Sequence, residues 1–263
     1  MLLHRILVAL VGIPLILWCI YLGGIPFFLM FFAIIFFSII EFFNVCKKYN
    51  PMNFTGTVIG SVFFISLYLH YNIQIVLISS LFIIFLIQML KGRISNASSE
   101  ITVTVFGALF IPWTLYHMIL IRDISVFGTQ YIIFLFANIW LLDTGAMFAG
   151  KKFGRHKLAP NISPKKTVEG AVAGIITALI VSVLCRELFM KNIITLNEAI
   201  MFAVIISVVA QFSDLAESIF KRDCNIKDSG NILPGHGGML DRFDSYLFCA
   251  PIFYYSLVLI KGL

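Results

Sequence analysis

The sequence predicts an all-α, polytopic integral membrane protein, and three observations carry that prediction. Of 263 residues, 60% are hydrophobic and only 12% are charged, far from the composition of a soluble globular domain. The apolar residues gather into nine runs, most of them close to the ~20 residues a helix needs to cross the hydrocarbon core. Lys and Arg are shared unequally between alternate connections, as the positive-inside rule expects of a spanning protein.

The predicted spans are 6–22, 25–45, 57–71, 73–90, 102–121, 129–149, 168–190, 198–217 and 245–260. The first follows a short basic start, MLLHR, but no small-residue cleavage site comes after it and further spans follow at once, so it reads as a retained helix rather than a signal peptide. In the second, Glu41 is the one acid inside a span of the first half, placed near the predicted cytoplasmic end where an interfacial carboxylate is tolerable. The third and fourth are divided only by HYN (70–72); merging them would invert everything downstream and spoil the charge asymmetry, so they are read as two. Up to about residue 125 the helices are nearly featureless mixtures of Phe, Ile and Leu, and chemistry is not expected there.

The sixth span carries Asp143 in an apolar helix. A carboxylate at membrane depth costs a few kcal/mol unless it is paired or lines a wet cavity, so Asp143 is either a functional group or a polar contact between helices. Before the seventh span, in NISPKKTVEG, Ser163 and Pro164 read as N-cap and first turn. Lys165 and Lys166 then stand at a helix N-terminus, where the dipole disfavours each by about 0.3–1 kcal/mol. A bound phosphate would turn that penalty into attraction; anionic lipid headgroups are the alternative. At the end of the eighth span Gln211, Asp214, Glu217 and Ser218 share one face, with two carboxylates at a C-terminus the dipole disfavours. The ninth opens on Asp241 and Asp244.

Fifteen of the 19 Lys and Arg fall at the N-terminus or in the connections after even-numbered spans, leaving Arg122, Arg186, Lys191 and Lys261 on the other side. The N-terminus is therefore expected in the cytoplasm and the C-terminus outside. The net charge of +6 reflects that orientation and anionic lipid rather than nucleic acid. Five scattered cysteines suggest neither a disulfide framework nor a zinc site. No repeat or linker divides the chain, which is read as one membrane domain over 1–263, with 1–125 mainly structural and 138–250 carrying the chemistry.

The segment KRDCNIKDSGNILPGHGGMLDRFD (221–244) balances Lys221, Arg222, Lys227 and Arg242 against Asp223, Asp228, Asp241 and Asp244. Both signs at close range suggest metal and phosphate together. Two carboxylate pairs, Asp214 with Glu217 and Asp241 with Asp244, suit a hard cation such as Mg²⁺, which takes oxygen ligands beside waters and substrate phosphates; helix capping is the alternative. The PGHGG stretch (234–238) offers backbone free of side-chain bulk that can approach a phosphate.

At these residues the chain resembles the phosphatidate cytidylyltransferases (CDP-diacylglycerol synthases). SIFKRDCNIKDSGNILPGHGGMLDRFD (218–244) fills every fixed position of that family's signature, and DTGAMFAGKKFGRHKLAPNISPKKTVEG (143–170) is similar to a second block. One departure is Ser213, where the family commonly has Gly, which bears on how tightly helices pack there. The resemblance implies transfer of a cytidylyl group from CTP to phosphatidic acid, giving CDP-diacylglycerol and pyrophosphate, with Mg²⁺ required and a monovalent cation such as K⁺ a candidate companion. It implies a homodimer in the bacterial cell (inner) membrane with its active site facing the cytoplasm. By similarity, Asp214 and Asp241 are principal metal ligands, Glu217 and Asp244 support them, and Lys165, Lys166, Lys221, Arg222, Lys227 and Arg242 contact phosphates. Asp143, Ser163, His236, Gly237 and Gly238 are further candidates for substrate binding, His236 standing equally as a loop hydrogen-bonding residue. A CTP-dependent lipid kinase, or a cytidylyltransferase for another lipid phosphate, is the nearer alternative. A cation-coupled transporter is remote, because the polar groups gather at one face rather than the midplane.

Overall fold

In a computed structural model, described for residues 2–124, 126–230, 232 and 237–262 with backbone only over 2–9, the apolar runs are largely helical, the third, 57–71, losing its last three residues to the turn after Tyr68. In order these are α1 (Leu2–Leu22), α2 (Gly24–Val45), α3 (Asn53–Tyr68), α4 (Ile73–Lys91), α5 (Ala97–Val105) continued through a π-helical turn into α6 (Ile111–Arg122), α7 (Gly128–Phe153), α8 (Val168–Cys185), α9 (Leu196–Asp223) and α10 (Leu240–Lys261). Among the described residues, seven helices are long and apolar enough to cross a bilayer, while Leu10–Leu22 and Asn53–Tyr68 are shorter. The chain is thus a polytopic, predominantly helical membrane protein. The break at 70–72 is a true helix boundary. His70 takes a positive φ of 55°, and the Asn72 side chain caps α4 by accepting from Gln74 and Ile75 N–H.

Two features depart from the expected helices. Residues 157–167 form a small antiparallel hairpin, β1 (Lys157–Ala159) against β2 (Ser163–Thr167), with Lys157 opposite Thr167 and Ala159 opposite Ser163. Ser163 and Pro164 are therefore not the N-cap and first turn of a helix. The cap of α8 is Thr167, whose hydroxyl accepts from Gly170 N–H. The extended stretch keeps Lys165 and Lys166 off the helix terminus that would repel them, and Glu169 stands in the first turn instead. In addition α9 runs on to Asp223, six residues past the predicted end, with Lys221 and Arg222 in its last turn.

The helices fall into two compact units, Met1–Ile119 with Phe220–Asp244, and Leu120–Ile219 with Ser245–Leu263. The first is packed around aromatic rings: Phe42 lies against Phe106 with centroids 5.6 Å apart, and Phe64 against Phe28 at 5.3 Å. In the second, α7 and α8 approach closely along glycines. A Cβ at Gly145 would lie 2.2 Å from Thr177 Oγ1, and one at Gly170 would lie 2.8 Å from the Ala146 carbonyl, so this seam admits only small residues. Asn138 in α7 accepts a 2.8 Å hydrogen bond from Ser182 in α8, and both are buried. Ser213, the departure noted above, is fully buried and accepts from Phe248 N–H at 3.1 Å. It links α9 to α10 by a hydrogen bond where a glycine would allow contact alone.

Candidate active site

In the first unit, residues 220–230 and 237–244 are anchored on α2 and the turn after it. Phe220 packs edge-on against Phe42 and tilted against Phe106, at 5.5 and 5.0 Å between centroids. Asp223 receives Lys48 Nζ at 3.0 Å and the Tyr49 hydroxyl, and accepting that hydroxyl pushes the phenol above its ordinary pKa. Phe243 meets the edge of Phe31 at 6.0 Å. Between these anchors lies Asp241 at the start of α10, with its side chain 11% exposed. Its Oδ1 receives Lys221 Nζ at 2.8 Å, and its Oδ2 accepts the backbone N–H groups of Ser229 and Gly238, each at 2.9 Å. One carboxylate therefore fixes a lysine and the backbone on both sides of the glycine-rich stretch. Charge-assisted bonds of this kind are about twice as strong as neutral ones.

Glu41, four residues before the end of α2, completes that arrangement. It is 2% exposed, and its Oε2 accepts Leu240 N–H at 2.8 Å and the Ser229 hydroxyl at 3.3 Å. Leu240 N–H is one of the first-turn donors that α10 cannot satisfy internally. The local chain is shaped to admit the carboxyl. A Cβ at Gly238 would lie 2.1 Å from Ser229 Oγ and 2.6 Å from Glu41 Oε2, and one at Gly230 would lie 2.5 Å from Glu41 Oε1. Gly237 takes a φ of 85°, open to glycine at little cost.

The second unit gathers a different set. Lys166, on β2, reaches Asp214 Oδ2 at 2.5 Å, each side chain about a quarter exposed. Ser218 Oγ lies 3.5 Å from the other oxygen of Asp214, and Gln211 Nε2 donates to the Ala171 carbonyl at 3.4 Å. The polar face predicted on α9 thus lies toward β2 and α8. The hairpin carrying Lys166 is held at its base by Glu169, which accepts Arg155 N–H at 3.0 Å and binds His156 through Nδ1 at 2.6 Å.

A family model described as "Cytidylyltransferase family" matches residues 3–260. The chain belongs to the cytidylyltransferase family. It is similar to the phosphatidate cytidylyltransferase of Rickettsia typhi, 38% identical over 214 residues that make up 78% of this chain and 92% of that protein. It is also similar to the enzymes of that name from Bacillus subtilis, 42% identical over 160 residues (61% of this chain, 59% of that protein), and Staphylococcus saprophyticus, 50% over 131 residues (50% of each). Against the bacillar and staphylococcal relatives the chain spans only about half to three-fifths of their length.

Within this family member the predicted residues are distributed unevenly. Asp241, Lys221 and Gly238 form one hydrogen-bonded cluster with Gly237 beside it, and Lys166 with Asp214 forms another. Lys165 and Arg242 are exposed, as is Lys227, while Arg222 donates to the Ile226 carbonyl at 3.3 Å. Glu217 and Asp244 are buried. Ser163 is half-buried in β2, and Asp143 lies on an exposed face of α7. His236, with Pro234 and Gly235, lies outside the described residues. Among the described residues no three His, Cys, Asp or Glu side chains stand together as a metal cage; Asp214 and Asp241 each hold a lysine. Glu41 was passed over by sequence reasoning. The available signal was its place as the one acid in the first five spans, to which the rule that a buried ionisable group marks function applied as fully as to Asp143.

Proposed function

We propose that this chain transfers the cytidylyl group of CTP to phosphatidic acid, giving CDP-diacylglycerol and pyrophosphate for phospholipid synthesis. The observation that carries the reading is 38% identity across 92% of a protein named phosphatidate cytidylyltransferase. A lipid-phosphate oxygen attacks the α-phosphorus of CTP, the new P–O bond forms as the α–β phosphoanhydride bond breaks, and pyrophosphate leaves with the electron pair. A phosphate monoester with its second pKa near 6 is already largely ionised at pH 7, so no Ser–His or Cys–His device is needed. The obstacle is bringing two anions together. Lys165, Lys166, Lys221, Arg222, Lys227 and Arg242 are assigned to the phosphates, with Asp143, Ser163, His236, Gly237 and Gly238 as further substrate contacts.

Asp214 and Asp241 are assigned to Mg²⁺, with Glu217 and Asp244 in support. Donor chemistry supports this, since hard oxygen ligands already hold cationic ammonium groups at 2.5 and 2.8 Å, and Mg²⁺ commonly takes only one or two carboxylates beside phosphates and water. When bound, the ion would neutralise charge on the triphosphate. The proposal includes nine spans with the N-terminus in the cytoplasm, the site on the cytoplasmic side of the cell membrane, and a homodimer. The deciding test incubates purified protein with labelled CTP, Mg²⁺ and phosphatidic acid. Label in CDP-diacylglycerol supports the reading. Label in no lipid, or transfer only of the γ-phosphate, as a CTP-dependent lipid kinase would do, overturns it.

A further inference from the structure

We propose that Glu41 is a positioning residue for the reaction: from α2 it holds Ser229 and the Leu240 backbone and so sets the direction in which Asp241 and Lys221 face the substrate. The inference rests on the function proposed above and extends it to α2, outside the half of the chain in which the chemistry was expected. Its basis is a set of interlocking contacts. Ser229 is held twice, its N–H by Asp241 Oδ2 at 2.9 Å and its hydroxyl by Glu41 Oε2 at 3.3 Å. Residues 238–241 are also held twice, Gly238 N–H by Asp241 and Leu240 N–H by Glu41 at 2.8 Å. Asp241 and Glu41 therefore grip the same two backbone stretches from opposite ends.

Removing Glu41 frees one donor at each stretch while leaving Asp241 and Lys221 chemically intact. Ser229 and Leu240 are 6% and 2% exposed, so water does not readily replace the lost acceptor, and the backbone must shift to satisfy the donors. The two glycines deny any other reading of the space. The carboxyl occupies volume that a methyl group at 230 or 238 would need, with approaches of 2.5 and 2.6 Å. The remaining oxygen, Oε1, is buried with no hydrogen-bond partner among the described residues. An amide nitrogen can take its place without displacing another donor, which makes glutamine a fair replacement.

The consequence is kinetic. A misplacement near 1 Å of a group acting on the reacting phosphate costs about 10²-fold in rate, and an effect expressed in the transition state appears in kcat rather than in KM. Glu41→Ala is expected to lower kcat about 10²-fold with KM for CTP changed less than about 3-fold. Glu41→Gln, which keeps an acceptor for Leu240 N–H, should recover to within about 5-fold of wild type. Gly230→Ala, whose added methyl would lie 2.5 Å from Glu41 Oε1, leaves Glu41 in place but crowds it and should reproduce the kcat loss. The control is Glu100→Gln in α5, a carboxylate 6% exposed and paired with Lys91 at 2.5 Å; it should melt earlier than wild type with unchanged kcat per folded molecule.

Amide hydrogen exchange gives a readout independent of turnover, with protection at Ser229, Gly238 and Leu240 expected to fall in Glu41→Ala and to persist in Glu41→Gln. Wild-type protein that labels no lipid removes the proposed function, and the exchange experiment then decides the positioning alone. Unchanged protection at those three amides overturns the inference. So does an active wild type with Glu41→Ala of equal kcat, or a loss confined to KM, or Glu41→Gln as impaired as Glu41→Ala.

Discussion

Replacing Lys221 by Met separates what holds Asp241 in the protein from what Asp241 does for a substrate. Lys221 Nζ lies 2.8 Å from Asp241 Oδ1, and the two side chains are 9% and 11% exposed. At that burial solvent screening removes little of the interaction, and the discount that applies to surface pairs does not. Methionine fills much of the lysine stem's volume but leaves the Asp241 carboxylate, among the described residues, with the Ser229 and Gly238 N–H groups, both on Oδ2. Breaking a buried pair from one side costs about 3–5 kcal/mol, because the partner's charge stays buried. For a chain of this size, ~1 kcal/mol moves a melting midpoint by about 2–4 °C, so the expected drop is roughly 10 °C.

The assay is thermal melting in detergent at one scan rate, read as a ranking of variants because membrane proteins often unfold irreversibly. Lys221→Met with Asp241→Leu should melt above Lys221→Met alone, since removing both charges relieves the unpaired one. A second arm adds Mg²⁺. If Asp241 accepts a hard cation, the ion should recover more stability in Lys221→Met than in wild type, by up to about 2.7 kcal/mol at a hundred times its dissociation constant. A Lys221→Met protein melting within 2 °C or so of wild type would refute the buried-pair argument. Equal Mg²⁺ increments in wild type, Lys221→Met and Asp241→Asn would refute the assignment of Asp241 to the ion.

Thr167→Ala should destabilise the protein by about 1 kcal/mol in the same melting assay, through loss of the cap on Gly170 N–H, whereas Ser163→Ala should stay within about 0.5 kcal/mol of wild type; the reverse order would restore the helix start at Ser163. Changing Lys165 and Lys166 together to Gln should lower turnover by orders of magnitude. Because Lys166 pairs with Asp214 at 2.5 Å, the same change should lower stability slightly, by about 0.2–1 kcal/mol; wild-type turnover would return both lysines to the lipid surface. A reporter fused after Leu263 should lie outside the cytoplasm and one inserted between Phe153 and Ile162 inside, and a shared side for both would end the nine-span orientation.

Much of the fold was legible because its strongest signal is apolar length, and that signal located the long apolar helices among the described residues. The ends were less legible. Hydropathy stops a span at its first charges, yet α9 continues through Lys221, Arg222 and Asp223, because backbone hydrogen bonding continues after apolar character ends. Residues 163–167 were misread for the opposite reason. Ser-Pro is a good helix opening, but a two-strand hairpin of three and five residues is too short to show alternation. For the candidate site, spacing found the groups on α9 and α10. Glu41 was missed because its partners, Ser229 and Leu240, lie 188 and 199 residues away, and no local pattern records such a pairing.

These boundaries change the electrostatic case for bound ligands. With α9 ending at Asp223, Asp214 stands well over two turns inside the helix, beyond the last turn in which the dipole acts. With α8 beginning at Val168, Lys165 and Lys166 are no longer at its N-terminus. Helix dipoles therefore call for neither a cation at Asp214 nor an anion at Lys165 and Lys166. The case rests instead on two opposite-charge couples, Lys166 with Asp214 and Lys221 with Asp241. A couple of this kind resists opening by one ligand alone, since an anion taking the lysine strands the carboxylate and a cation taking the carboxylate strands the lysine. Anion and cation arriving together leave no charge unmatched. On the proposed function, CTP and Mg²⁺ should therefore raise the melting midpoint together by more than the sum of their separate effects, and the excess should shrink in Lys166→Gln and in Lys221→Met. Strictly additive shifts in the wild-type protein would show that the couples stay closed when substrate binds, and that neither lysine is exchanged for phosphate.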